Sequence, residues 1–138
     1  MNKSKETPRG IRNNNPLNIR IGNCWWGEVE NPTDTQFEQF EKMEYGIRAA
    51  FIILRRYIEK YGRNTVEQII SSWAPSSENN TMAYVKFVYE KSQIPVDHII
   101  KYDDKDIMIR LVDAMIHYEC GQQVNIEKIQ YAYDIAHR

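Results

Sequence analysis

The sequence is poor in the features that identify many classes of small protein. It holds only two cysteines, Cys24 and Cys120, in 138 residues. A disulfide scaffold of this size normally uses more, so two thiols suit synthesis in a reducing compartment, and the sequence leaves a bridge between them open. The first eight residues, MNKSKETP, lack the apolar run of a signal peptide, and no stretch is long enough to span a bilayer. We therefore expect synthesis in the cytoplasm, no membrane span, and a separate export or release route if the protein works elsewhere.

The chain also lacks a strong net charge. Its formal net charge is −1, which excludes a nucleic-acid binder that works through the charge of the whole molecule. The charge is uneven along the chain, however. The first twenty residues carry five cations against Glu6 alone, and residues 21–46 carry six carboxylates against Lys42 alone. Two solvated surfaces of opposite sign explain this pattern as well as a functional role of the two charged segments does.

Motifs for phosphate, metal and redox chemistry are missing. There is no glycine-rich phosphate loop and no pair of closely spaced cysteines. The histidines, His98, His117 and His137, lack the spacing of metal ligands. His117 lies next to the core face of its predicted helix, where a structural role is the commoner one. We expect neither a metal nor a cofactor.

What is present is the pattern of a helical globular domain. Apolar residues make up 42% and charged residues 27%, which predicts one domain over residues 9–138 after a flexible start at residues 1–8. Apolar spacing and capping residues predict five helices: one from Met43 to Tyr61 that Gly62 ends, one opened by Asn64 or Thr65, one opened by Asn80 or Thr81, one from Asp103 or Asp104 to Gly121, and one opened by Asn125. Short extended pieces are expected near Cys24–Gly27 and Gln36–Phe40. The fold class is therefore mainly α, with a small extended region near the start, and we expect the helix from Met43 to be the most buried element, surrounded by the others.

The stretch RGIRNNNPLNIR, residues 9–20, fits neither an amphipathic helix nor a half-buried strand. Asparagine offers a donor and an acceptor together, which matches the hydroxyl and acetamido groups of sugars. Trp25 and Trp26 add flat faces against which sugar rings can stack. The alternative is structural, because Asn-Asn-Asn-Pro is a good turn sequence and tryptophans commonly fill cores. The functional interpretation is a groove for a sugar polymer.

Glu119 is the candidate for chemistry in such a groove. It follows Val112 and Ile116 at helical offsets, so it borders the apolar side of its helix, and it lies in the last turn. Burial and the negative end of the helix dipole both raise a carboxyl pKa. A carboxylic acid that stays protonated near neutrality is what a glycosidase uses to protonate a glycosidic oxygen. The alternative is a surface glutamate at a frayed helix end.

A third stretch, WAPSSENNTMAY, residues 73–84, is locally a helix end, a loop and a helix start. Its side chains Glu78, Asn79, Thr81 and Tyr84 can also face a groove.

Taken in order, RGIRNNNPLNIR, W-x-G, FEQFEKMEYGIRA, WAPSSENNTMAYV and HYECG resemble a family of phage and prophage proteins. Its members are described as virion structural proteins or as peptidoglycan lytic transglycosylases with a lysozyme-like fold, and the resemblance runs from about Arg9 to Gly121. A weaker resemblance is to bacterial cell-wall glucosaminidases, in which the catalytic glutamate ends a helix that precedes the asparagine motif. Here the matching helix comes last, which a circular permutation of the lysozyme fold would reconcile. Cys120 stands where relatives are expected to have Asn or Ser.

The resemblance implies a peptidoglycan-cleaving glycosidase with Glu119 as its acid and base. The residues it places along the substrate are Arg12, Asn13, Asn14, Asn15, Asn18, Arg20, Trp26, Asn79, Thr81 and Tyr84. A hydrolase needs a second carboxylate or a held water, for which Asp34, Glu41 and Glu44 are candidates; a transglycosylase does not. Expected partners are glycan strands and other virion or prophage proteins, acting at the cell wall or periplasm. The alternatives are a non-catalytic virion or wall-binding protein and a nucleic-acid-binding accessory protein that uses the basic start.

Overall fold

The computed structural model describes residues 7–136, and almost all of its regular structure is helical. The helices are α1 (Arg9–Arg12), α2 (Met43–Arg55), α3 (Val66–Trp73), α4 (Thr81–Ser92), α5 (Lys105–Cys120) and α6 (Ile126–Ala136). A π-helical turn, Arg56–Lys60, continues α2 directly. The mainly α class is thus confirmed. Residues 1–6 of the expected flexible start, together with His137, lie outside the described residues.

Helix ends follow the capping chemistry of the sequence. The side chains of Thr65, Asn80 and Asp104 each accept a hydrogen bond from the backbone N–H of the third residue of α3, α4 and α5. Gly62 and Gly121 follow helical segments in the left-handed conformation, with φ of 66° and 70°. The predicted ends are confirmed because caps are local interactions.

Two predictions for the first forty residues need correction. Arg9–Arg12 forms one helical turn, which the sequence pattern did not indicate, and the N–H of Arg12 bonds to the carbonyl of Pro8 at 3.0 Å. Within residues 7–136 the expected strands are reduced to two isolated antiparallel bridges, Arg20 with Phe37 and Glu28 with Phe40. The segment around Gln36–Phe40 is extended as predicted, whereas Cys24–Gly27 forms no bridge.

In the core, α6 packs against both α2 and α5, α4 packs against α5, and α3 packs against α4 and the π-helical turn. Nine of the sixteen residues of α5 are buried, against six of thirteen in α2. The expectation that α2 is the most buried element is therefore wrong. Apolar side chains surround most of α5, which packs against α1, α4 and α6, whereas Ile52 and Ile53 of α2 stay partly exposed.

The asparagine segment, residues 13–18, packs directly against α2. Gly46 makes this possible because the backbone carbonyl of Asn14 lies where any side chain at position 46 would begin. Asn14 itself has a φ of 53°, a left-handed conformation that asparagine tolerates better than most residues. A glycine in α2 and an asparagine 32 positions earlier are thus fitted to each other.

Gly46→Ala tests this fit. A Cβ at position 46 would lie 2.0 Å from the Asn14 carbonyl oxygen and 3.0 Å from its carbon, both backbone atoms that cannot rotate away. We expect the free energy of unfolding to fall by about 2 kcal/mol or more, despite the better helix propensity of alanine. Thermal and denaturant unfolding measure the loss. Gly22→Ala, with no atom within 4 Å of its Cβ, is the matched control and should be nearly neutral.

Candidate functional site

Glu119 lies in the last turn of α5 and is held by three side chains from other parts of the chain. Asn18 donates from Nδ2 to its Oε1 at 3.1 Å, and the hydroxyl of Tyr84 donates to its Oε2 at 3.0 Å. The side chain of Trp73 adds a third hydrogen bond. The asparagine segment, the end of α3 and the start of α4 therefore converge on one carboxyl group.

Burial raises the pKa of Glu119 above its usual value, and the hydrogen bonds from Asn18, Tyr84 and Trp73 oppose that shift without cancelling it. The carboxyl also sits at the negative end of the α5 dipole, which disfavours its ionised form. Glu119 is nevertheless only partly buried. A proton held on this group can reach a ligand in the adjoining cleft.

That cleft consists of two adjoining cavities of about 210 and 190 Å³. Asn18, Arg20 and Trp73 line both of them. The first cavity is completed by Leu17, Phe37, Ala74, Pro75, Glu78, Asn79 and Glu119, and the second by Ile19, Ile53 and Tyr57. One end of the cleft is polar and contains the acid, and the other is lined by aliphatic and aromatic side chains.

Asn18 owes its position to a close approach between the asparagine segment and the end of α5. It has a φ of 54°, and its Oδ1 would lie 3.1 Å from a Cβ added to Gly10. The Cys120 thiol donates to the carbonyl of Pro16 at 3.1 Å, and burial raises the pKa of this thiol to about 11, so it stays protonated near neutral pH. Cys120 and Cys24 are both free, so no disulfide joins them.

The other asparagines serve the fold. Asn15 is fully buried and uses its amide three times: Nδ2 donates to the carbonyls of Ile19 and Glu38, and Oδ1 accepts from the N–H of Ile19. Asn14 donates to the carbonyl of Phe40 at 2.9 Å. The expectation that the amides of Asn14 and Asn15 face a sugar is corrected, because both amides bond to backbone groups of the protein.

Asn13 belongs to a separate polar cluster. Its Nδ2 donates to Asp34, which also forms a two-pronged ion pair with Arg9 at 2.7 and 2.8 Å. The hydrogen bond from Arg9 holds the pKa of Asp34 well below its usual range. Arg12 lines the cavity beside this cluster and not the cleft of Glu119. The prediction that Asn13 and Arg12 lie along the substrate in the cleft of Glu119 is therefore corrected, since both line the separate cavity beside Asp34. With its lowered pKa, Asp34 is unsuited to act as a second acid.

The remaining predicted residues divide between cleft and scaffold. Arg20 and Asn79 line the cleft. Thr81 is buried and donates to the carbonyl of Ala74, so it braces the loop after α3. Tyr84 is 2% exposed and contacts Glu119 rather than solvent, and Trp26 stands 58% exposed against Tyr45, outside the cleft lining.

Neither Glu41 nor Glu44 lines the cleft. Glu41 is exposed, and Glu44 is in the first turn of α2. The second carboxylate of the cleft is instead Glu78, one of the side chains for which the sequence leaves a groove-facing position open. Among residues 7–136, no group of three or more His, Cys, Asp or Glu side chains is arranged to hold a metal ion.

Sequence reasoning missed Trp73 and Phe37. The sequence indicates only that Trp73 belongs to a helix end, although an indole N–H in such a position can bond to a buried carboxylate. Phe37 carries the guanidiniums of Arg9 and Arg20 on its ring, at 4.6 and 5.1 Å from the ring centre. The alternation of aromatic and acidic residues around Phe37 gave no signal that two cations would stack there.

Comparison with known proteins shows that the chain is similar to a phage protein. The chain is 42% identical over 133 residues to protein P5 of Pseudoalteromonas phage PM2, and the match covers 94% of this chain and 78% of the phage protein. The chain belongs to the family of this phage protein. No family model matches the sequence. In the part of the chain that the structure describes, no helix is long and apolar enough to cross a membrane.

Tyr84→Phe tests how the carboxyl is held. The change removes the hydroxyl that donates to Glu119 and leaves the ring stacked on Tyr118 at 4.1 Å. Because this hydrogen bond favours the ionised form, we expect the pKa of Glu119 to rise further. The carboxyl carbon shift of Glu119, followed by NMR against pH, measures the change. In the control Tyr118→Phe the titration should stay in place, and an unmoved titration in Tyr84→Phe would contradict the geometry.

Proposed function

We propose that this protein is a peptidoglycan-cleaving glycosidase of a phage or prophage, with a lysozyme-like groove and Glu119 as its general acid and base. The observation that carries the proposal is the half-buried carboxyl of Glu119, with its pKa raised by burial, at the side of a cleft lined by amides and aromatic rings. Such a group holds a proton near neutral pH, as protonation of a glycosidic oxygen requires.

The chemistry uses one group twice. With the glycan in the cleft, Glu119 gives its proton to the oxygen that joins N-acetylmuramic acid to N-acetylglucosamine, and the bond to the muramoyl anomeric carbon breaks. The carboxylate then takes the proton of the muramoyl C6 hydroxyl as that oxygen bonds to the anomeric carbon. The product is an anhydro sugar, and Glu119 is protonated again. Asn18, Tyr84 and Trp73 stabilise the carboxylate between the two steps.

The lining of the cleft favours this intramolecular route over hydrolysis. A hydrolase needs a second carboxylate or a held water on the opposite face of the sugar. The second carboxylate of the cleft, Glu78, is highly exposed and lies 3.9 Å from Arg20. Asp34, a candidate for the second carboxylate, accepts hydrogen bonds from Arg9 and Asn13 and lies in a different cavity.

The family relationship supports a setting for this activity. A phage must pass the bacterial wall when it enters a cell and when it leaves, and a wall-cleaving protein carried in the virion serves entry. The relationship to a phage protein, together with the resemblance to phage lytic transglycosylases, favours a virion-associated protein that acts at the wall or periplasm. The nucleic-acid alternative is weakened by Arg9, because its guanidinium is already paired with Asp34 within the chain.

Glu119→Gln tests the proposal. Glutamine keeps the size and most hydrogen bonds of the side chain but has no proton to transfer. We expect cleavage of purified cell walls, followed by zymography and loss of turbidity, to fall by about 100-fold or more. Glu44→Gln, outside the cleft, is the matched control and should retain activity.

The same variant makes a prediction for stability. Because the pKa of Glu119 is raised by folding, its contribution to the free energy of unfolding is complete at low pH and is lost as pH rises through the folded pKa. Glutamine cannot ionise, so at neutral pH the variant should be as stable as the parent or slightly more stable.

A folded Glu119→Gln protein with full activity would contradict the assignment of Glu119 as the general acid. A wild-type protein that binds walls without cleaving them would favour the non-catalytic alternative.

A further inference from the structure

Arg20 occupies the junction of the two cavities that form the cleft. Its guanidinium lies over the ring of Phe37, 5.1 Å from the ring centre, which restrains the plane of the group without using its N–H donors. No hydrogen bond from this guanidinium to another of the described residues 7–136 is present. Arg20 thus presents a planar set of N–H donors, oriented by the Phe37 ring, to a ligand in the cleft.

Its ion-pair partner is held loosely. Glu78 comes from the loop between α3 and α4, and its Oε1 lies 3.9 Å from Nη2 of Arg20. The two side chains are 64% and 66% exposed. Pairs as long and as exposed as this one contribute little free energy, so another carboxylate can replace Glu78 at small cost.

The charge of the cleft gives this replacement a direction. Arg20 is the one cation among the residues that line the two cavities, and the acidic side chains there are Glu78 and Glu119. An anionic substituent on a ligand would therefore find a single attractive charge, at the junction. A neutral sugar chain carries no charge that could pair with this guanidinium.

We propose that Arg20 binds a carboxylate carried by the glycan, and that Glu78 occupies this position until the substrate displaces it. The inference rests on the proposed function and assigns to Arg20 the discrimination between acidic glycans and neutral polymers of N-acetylglucosamine. In peptidoglycan the carboxylate has two sources. A muramic acid without its peptide exposes the lactyl carboxylate, whereas a muramic acid with its peptide has that group in an amide and exposes carboxylates along the peptide.

Binding of three tetrasaccharides separates these cases: neutral N-acetylglucosamine tetramer, alternating N-acetylglucosamine and N-acetylmuramic acid with free lactyl groups, and the same glycan with its peptides. Each is titrated by calorimetry at low and high salt, with every protein carrying Glu119→Gln so that no ligand is consumed. The variants added are Arg20→Gln, Glu78→Gln and, as a matched control, Arg12→Gln, which removes a cation of the same segment outside the cleft.

We expect Arg20→Gln to weaken binding of at least one acidic ligand by about fivefold or more at low salt, as loss of one charge-assisted hydrogen bond does, and to leave the neutral tetramer within about twofold. Glu78→Gln should strengthen binding of the same acidic ligand by about two- to fivefold. Arg12→Gln should change neither. The acidic ligand that responds identifies the source of the carboxylate.

Equal effects of Arg20→Gln on neutral and acidic ligands, or weaker acidic binding in Glu78→Gln, would overturn the inference. Wall cleavage by the wild-type protein is measured separately. If walls are cleaved but Arg20 does not discriminate, the proposed function stands and this inference fails. If Arg20 discriminates but walls are not cleaved, the anion site stands in a protein that binds the wall without cutting it.

Discussion

The structure depends on one contact, between a carboxyl at the end of α5 and an asparagine 101 positions earlier in the chain. Glu119 can be partly buried because its carboxyl accepts hydrogen bonds, and the bond from the most distant part of the chain comes from Asn18 to its Oε1. Asn18 reaches that position because Gly10 lets the segment approach the α5 end and because the Cys120 thiol bonds to the carbonyl of Pro16. Docking of the first twenty residues onto the last turn of α5 thus builds the fold and the site together.

Asparagine is used here for two properties at once. Asn14 and Asn18 adopt left-handed backbone, and the amide of Asn15 replaces backbone partners that an irregular segment lacks. Because this irregular segment lacks strand partners, most of its asparagine side chains bond to the main chain and are not free to bond to a ligand. Of the four asparagines in the segment, Asn18 is the one that lines the cleft.

Local chemistry could be predicted from the sequence, and distant contacts could not. Helical spacing placed Glu119 at the edge of an apolar face near a helix end, and caps such as Thr65 followed from neighbouring residues. The roles of Asp34 and Tyr84 were wrong because they are decided by Arg9 and Glu119, which lie 25 and 35 positions away. Polar residues near the start of a chain look alike in sequence whether they bond to a ligand or to the backbone.

The central claim is that Glu119 acts alone, first as acid and then as base, on a glycan in the cleft. Mass spectrometry of the muropeptides released from purified walls tests it most directly. The account predicts products that end in an anhydro sugar, lighter by one water than hydrolysis products, and their loss in Glu119→Gln. Reducing-end products would contradict the single-acid mechanism, and the absence of any released muropeptide would contradict glycan cleavage itself.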